Sequence, residues 1–333
     1  MPVWSEQDTM IADSAAAFFR DVGEVSRIRS EASNVSSKRF FQRAAEQGWI
    51  GMLVSQAHGG AGLGLRDALV LMRAAGRHLP PEPLAAAIAL AQAMQHVPEL
   101  SDVLARAVVG EQITLPAFCD ANDPDLETPL WTRPVAGLNL ADALVVINEL
   151  NELIFAPEGS FTGDTRRSLD RGFVGIAEVN DSKRLRAGRD LCDSLIDTWL
   201  MLHAAELVGL GHEALSRTVN YLEARTQFGV PLSSFQALQH SAANVYVQLA
   251  AADALVFEAA RAFDTADQSF ATLASFRCAA AAADKAAKEA IQMHGAIGFT
   301  DECEIGLFLK RAVAISTSCR DLARHRVPSH QIN

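Results

Sequence analysis

The stretch Arg225–His240 reads RTQFGVPLSSFQALQH, and its polar residues decide how the rest of the chain is understood. It follows a long apolar-periodic run, and its glycine and proline are enough to stop a helix. Stopping a helix requires neither Arg225 nor Gln227. Arg presents a planar fork of donors suited to phosphate oxygens, and Gln both donates and accepts. A second segment, QMHGAIGFT from Gln292 to Thr300, has the same character. Gln292 and His294 close a helix and lead into Gly295 and Gly298, where small residues let backbone N–H groups approach a ligand. Together the two segments suit an anionic nucleotide cofactor. The residues alone leave a structural reading open, with Gly229 and Pro231 as a helix stop, Gly295 as a C-terminal cap and Arg225 as a cation at a helix C-terminus.

Working outward, the chain around these segments is helical. Leu232 to His294 is a run of 63 residues without Gly or Pro, which in a water-soluble chain means long helices. Within it Leu238, Ala242, Val245, Leu249, Ala252 and Val256 recur at steps of four and three, the seam of a four-helix bundle. A bend is expected at DTADQS (Asp264–Ser269), a joint at HGAIGFTDE (His294–Glu302) and a last helix to about His325. Before the bundle, LADALVVI, ELIFAPE and GFVGIAEV are short runs rich in Val, Ile and Phe bounded by turn residues, the pattern of strands. The first 110 or so residues are helical again. Ser5 and Asp8 form an acidic capping box ahead of Met10, Ile11, Ala15 and Phe18, so a helix is expected from Ser5 to Arg20. Phe40, Phe41, Ala44 and Ala45 make a second apolar stripe ending at Gly48. The chain is therefore mainly α, with an N-terminal helical domain (1–113), an abbreviated middle β domain (114–185) and a C-terminal four-helix bundle (186–333).

Composition narrows the function. Apolar residues at 49% and charged residues at 21% describe a folded globular chain. A net charge of −11 argues against a general nucleic-acid surface. LAAAIALAQAM (Leu84–Met94) is too short to cross a bilayer, which needs roughly 20 residues, and reads as a buried helix. MPVWSEQDTM carries no secretory pattern, so a cytoplasmic location is expected. Cys119, Cys192, Cys278, Cys303 and Cys319 are widely spaced and read as reduced thiols, and no metal-ligand spacing is present. GGAGLG (Gly59–Gly64) is flanked by helices and differs from a dinucleotide fingerprint, which follows a strand.

RTQFGVPLSSFQALQH and QMHGAIGFTDE resemble the two signature segments of the C-terminal bundle in the acyl-CoA dehydrogenase family, approximately RxxFGxxxxxxQ and QxxGGxGxxxE. LRDALVLMRAAGRHLPPEPLAAA and EQGWIGMLVSQAHGGAGLG resemble that family's first helical domain. The texture is similar to the bacterial branch that works on steroid or other bulky acyl-CoA side chains. The resemblance implies a helical domain, a barrel-like β domain and a four-helix bundle, assembled as homo- or hetero-oligomeric dimers or tetramers with FAD. It also implies an acyl-CoA substrate and an electron-transferring flavoprotein or similar acceptor. By the same resemblance, Arg225 and Gln227 hold the FAD pyrophosphate, Phe228 packs near its adenine end and Gln236 adds a polar contact. Gln292, Gly295 and Ala296 then approach the FAD of a neighbouring subunit, with Ala296 in place of the usual second glycine.

Two family features are missing. The segment TLPAFCDANDPDLETPLWTRPVAGLN, Thr114 to Asn139, contains nothing like the family's TEPxxGSD. The usual catalytic glutamate falls at about Cys319, and the alternative position of some branches near Trp199, so neither place offers an acid. Asp321 is two residues off and faces elsewhere on a helix. Glu206, in HAAELVGLG, reads more simply as a helix-face or inter-helix acid, and no His or cation is placed by sequence to activate Cys319. The catalytic residue is therefore unassigned. A non-catalytic partner subunit of a heteromeric dehydrogenase is the alternative that these gaps favour.

Overall fold

A computed structural model describes residues 4–22, 28, 34–120, 129–185, 187–263 and 265–326. Among the described residues the order is α1 (Glu6–Asp21), α2 (Asn34–Glu46), α3 (Leu65–His78), α4 (Leu84–Met94) and α5 (Ser101–Val108), then eight strands, then four long helices and a small hairpin. The strands are β1 (Thr114–Phe118), β2 (Leu130–Trp131), β3 (Val135–Ala136), β4 (Ala143–Ile147), β5 (Leu153–Ala156), β6 (Phe161–Arg167), β7 (Phe173–Val179) and β8 (Lys183–Leu185). The long helices are α6 (Arg189–Ala224), α7 (Gln236–Ala259), α8 (Gln268–His294) and α9 (Ile305–His325). The hairpin, β9 (Thr226–Gln227) and β10 (Val230–Pro231), lies between α6 and α7.

The chain packs as two compact units, and each combines separate stretches of sequence. One comprises residues 27–68 and 81–199, the other residues 1–26, 69–80 and 200–333. In the first, a mixed sheet runs β1-β4-β5-β8, with β1 parallel to β4 from Thr114↔Ala143 to Phe118↔Ile147. Every residue of β1 and β4 is buried, which is why both are continuous apolar runs and not alternating ones. Pro116 is tolerated because β1 is an edge strand. A second, antiparallel sheet orders β2-β7-β3, with β6 also pairing β7. Ten of the eleven α4 residues are buried, so LAAAIALAQAM is a core helix.

In the second unit the expected cap is present. The Ser5 hydroxyl accepts from the Asp8 amide at 3.0 Å, and the Asp8 carboxylate accepts from the Ser5 amide at 2.8 Å. Phe18 and Phe19 are buried, whereas Met10 is exposed. Val245, Leu249, Ala252 and Val256 of the α7 seam are buried and Leu238 and Ala242 are half-buried. The break between α7 and α8 falls after Ala259, at a short 3-10 turn Ala260–Ala262, and Asp264 of the expected bend lies outside the described residues. The joint before α9 is a 3-10 turn, Gly295–Phe299. No helix among the described residues is long and apolar enough to cross a membrane. Gly59–Gly64 joins a 3-10 turn (Gln56–His58) to α3, without the strand that a dinucleotide fold needs.

Candidate functional site

The opening stretch forms a two-residue hairpin at the end of α6. Val230 pairs with Gln227 and Pro231 with Thr226, while Phe228 and Gly229 take φ of 54° and 83°. Two successive positive φ values define a type I′ turn, which glycine enters freely and phenylalanine enters at a cost. A non-glycine residue held there marks a position shaped by something other than stability. The hairpin is fastened at its base, where the Arg225 amide donates to the Tyr221 carbonyl and the Leu232 amide to the Arg225 carbonyl, at 2.9 and 2.8 Å. Arg225, Gln227 and Gln236 are exposed, and none of their side chains has a partner among the described residues. Phe228 is 90% exposed and meets Phe235 edge-to-face at 6.1 Å between ring centres.

The second segment is close by. His294 ends α8 buried, its Nδ1–H donating to the Ala290 carbonyl at 2.7 Å, and its ring stacks on Tyr221 at 4.3 Å. The Tyr221 hydroxyl donates to the His294 carbonyl at 3.4 Å. Since Tyr221 sits one helical turn before Arg225, this stack brings the ends of α6 and α8 together. Gly295 caps α8 at φ 67° and its amide donates to the Gln292 carbonyl. Gln292, Gly295 and Ala296 are exposed, and Gly295 and Gly229 both face open space where a Cβ would be. An unpartnered guanidinium, unpartnered amides, an exposed ring and two accessible glycine backbones fit a ligand with a phosphate and a flat heterocycle. The structure thus fits the phosphate and adenine half of FAD. Residues 121–128 of the segment that would replace TEPxxGSD lie outside the described residues.

A cluster that the sequence did not reveal lies deeper in the same unit. Arg311 Nε and Nη2 both donate to Glu206 Oε1, at 2.9 and 2.6 Å. Glu206 Oε2 faces His203 Nδ1 at 2.9 Å. Glu206 and Cys319 are each 1% exposed. Burial alone would raise the Glu206 carboxyl, but Arg311 and His203 overcome it and hold it down to about 2. Burial alone would lower the His203 imidazole, but the Cys319 sulfur and the Glu206 carboxylate raise it to about 10. Glu206 is an inter-helix acid, as expected. The signal that could have shown this is spacing: His203 and Glu206 are i,i+3 on α6, and Arg311 and Cys319 are two turns apart on one face of α9. The side chain of Asp321 lies outside what the structure describes.

A helical bundle with two such segments at its helix ends defines the class, and the comparisons agree with it. Residues 5–99 match the model for the acyl-CoA dehydrogenase N-terminal domain and residues 196–317 that for the acyl-CoA dehydrogenase C-terminal domain. Acyl-CoA dehydrogenase IpdE2 of Mycobacterium tuberculosis (strain ATCC 25618 / H37Rv) is 32% identical over 277 residues, which span 80% of this chain and 77% of the relative. Acyl-CoA dehydrogenase IpdE2 of Mycolicibacterium smegmatis (strain ATCC 700084 / mc(2)155) is 28% identical over 92% of this chain and 93% of its own. The chain belongs to the acyl-CoA dehydrogenase family. Among solved structures, the Tcur3481-Tcur3483 steroid ACAD G363A variant superposes with a TM-score of 0.85 at 25% identity over 96% of both chains. The ChsE4-ChsE5 complex from Mycobacterium tuberculosis has the same fold, with a TM-score of 0.82 at 18% identity over 98% of this chain and 96% of that one. Among the described residues no group of three or more His, Cys, Asp and Glu side chains is arranged to hold a metal ion.

Proposed function

We propose that this chain is a flavoprotein subunit that takes part in the α,β-dehydrogenation of an acyl-CoA thioester, with FAD as hydride acceptor. The observation that carries the proposal is the meeting of the exposed Arg225–Gln227 hairpin with the Gln292–Ala296 cap through the Tyr221–His294 stack. Arg225 and Gln227 hold the pyrophosphate, Phe228 lies along the adenine end and Gln236 adds a polar contact. Gln292, Gly295 and Ala296, held beside them, line the same site, and the rest of it comes from a neighbouring subunit, so a complete site needs at least a dimer. Phe228, Val230, Tyr246, Val247 and Phe299 expose apolar surface in the same unit, which supports an assembly that covers them. When bound, FAD supplies the two-electron acceptor that no side chain can. The protein orients the acyl chain and excludes water. Electrons then pass to an electron-transferring flavoprotein or a similar acceptor in the cytoplasm.

A second reading is favoured by a specific observation: neither Cys319 nor Trp199, the two positions matching the family's base, carries a carboxylate. In that reading the chain is the non-catalytic half of a heteromeric dehydrogenase and lends its Gln292 segment to a partner that supplies the glutamate. Solved structures of the same fold with two-part names, Tcur3481-Tcur3483 and the ChsE4-ChsE5 complex, support it by analogy. Both readings require Arg225. Arg225→Ala is expected to lower flavin retained per assembled complex through gel filtration, and unchanged retention would remove the role given to it.

A further inference from the structure

A small cavity lies where the helices of the first unit meet its mixed sheet. Phe41 of α2, Met94 of α4 and Ala107 of α5 give it an apolar wall, and Gln112 and Thr114, at the entry to β1, line its other side. Gln112 is 7% exposed and Thr114 4%. Gln112 Oε1 and Thr114 Oγ1 are themselves inaccessible to solvent, and neither has a hydrogen-bond partner among the described residues. A buried oxygen left in that condition forfeits the hydrogen bonds that water would give it, so two of them on one cavity call for an occupant.

The local backbone explains why both residues face the same space. Between them, the Ile113 amide donates to the Asp142 carboxylate at 2.9 Å, and the Ile113 carbonyl accepts from the Asp142 and Ala143 amides at 2.8 and 3.3 Å. This fixes the chain alongside β4, and residues two apart on an extended chain send their side chains to one side. The two oxygens also select what can bind. The Gln112 oxygen can only accept, and the Thr114 hydroxyl donates and accepts. An anion has no proton to give Gln112, and an apolar molecule satisfies neither group. A divalent cation takes about six oxygen ligands, and two side-chain oxygens are on offer. Size completes the selection. The space open to the centre of a water-sized molecule is about 10 Å³, and one water needs roughly 10–15 Å³ by that measure.

We propose that this cavity is a binding site for a single ordered water, which donates to Gln112 Oε1 and bridges to Thr114 Oγ1. Asp142 holds the α5–β1 joint from one side and the water holds it from the other. Together they fix the direction in which β1 leaves the helices. The proposal is independent of the dehydrogenase reading.

A crystal structure of the full chain, at a resolution that shows ordered water, reads the site directly. One peak within about 3.2 Å of both oxygens is expected. A cavity without density, or a peak that reaches only one oxygen, overturns the proposal. Thr114→Val supplies a second readout, since valine suits a strand and removes only the hydroxyl. If the water bridges, the variant loses the peak and melts below the wild type, while Thr114→Ser keeps the peak. In a dry cavity the hydroxyl is only a cost, so Thr114→Val would melt at or above the wild-type temperature, and that result overturns the bridge. The double variant Gln112→Met/Thr114→Val removes both oxygens and is expected to recover part of the lost melting temperature. Simple addition of the two single effects would show that no water couples them.

Discussion

Replacing Arg311 by methionine isolates the energetics of the buried cluster. Arg311 places two donors on one Glu206 oxygen at 2.9 and 2.6 Å, and both side chains are nearly inaccessible to water. Methionine keeps much of the aliphatic stem and removes both donors, so Glu206 is left as a buried carboxylate supported by His203 alone. Breaking such a pair from one side costs about 3–5 kcal/mol, mostly the penalty of the orphaned charge. With a urea slope of about 3 kcal/mol per M, that moves the denaturation midpoint down by roughly 1–1.7 M. The penalty should shrink in acid, because a protonated Glu206 no longer needs a cation. The double variant Arg311→Met/Glu206→Leu removes both charges and should recover most of the loss, giving a coupling of about 2–3 kcal/mol in a double-mutant cycle. Helical circular dichroism against urea reads all of these. An Arg311→Met cost below about 1 kcal/mol, or simple additivity in the cycle, would refute the view that the cluster is a tightly coupled unit.

Further outcomes follow from close packing and from titration. A Cβ on Gly209 would lie 1.9 Å from the Arg73 carbonyl oxygen, and one on Gly76 would lie 1.9 Å from that of Glu206. Gly209→Ala and Gly76→Ala should therefore force α3 and α6 apart and cost at least about 1–3 kcal/mol, whereas Gly188→Ala, with open space at its Cβ, should be near neutral by thermal melting. Glu206 is held down to about 2 from 4.5, so its contribution is present above about 4.5 and is lost as pH falls towards 2. His203 is raised from 6.5 to about 10, so its contribution is complete below 6.5 and is lost as pH rises through 10. Urea midpoints measured against pH should fall at both ends, and Glu206→Leu should flatten the acid limb.

What could be read from the residues was what depends on local pattern. The Ser5–Asp8 box, the Val245–Val256 seam and the Gly295 cap are each determined within a few turns of chain, and the structure has them. The polar residues of the two signature segments stood out because a plain bundle has no use for them. The hairpin at Thr226–Pro231 reads from sequence only as a helix stop at Gly229 and Pro231, since Phe228 disguises a type I′ position normally given to Asn or Gly. The parallel pairing of β1 with β4 was not legible either, because two apolar runs carry no register. Least legible was Arg311 on Glu206, which joins residues far apart in sequence through the packing of α6 on α9. Spacing marks the face each helix offers, His203 and Glu206 on α6 and Arg311 on α9, but no spacing rule says that the two faces meet.

In the proposed function the Arg225 and Gln292 segments belong to one flavin site completed between subunits. Visible absorbance of the purified chain, read as flavin per subunit alone and after mixing with a homologous dehydrogenase subunit that retains the glutamate and TEPxxGSD, tests this most directly. Flavin near one equivalent per site is expected in whichever assembly forms, released by Arg225→Ala or Gln292→Ala. Flavin retained undiminished by both variants, or absent from every assembly, would contradict it.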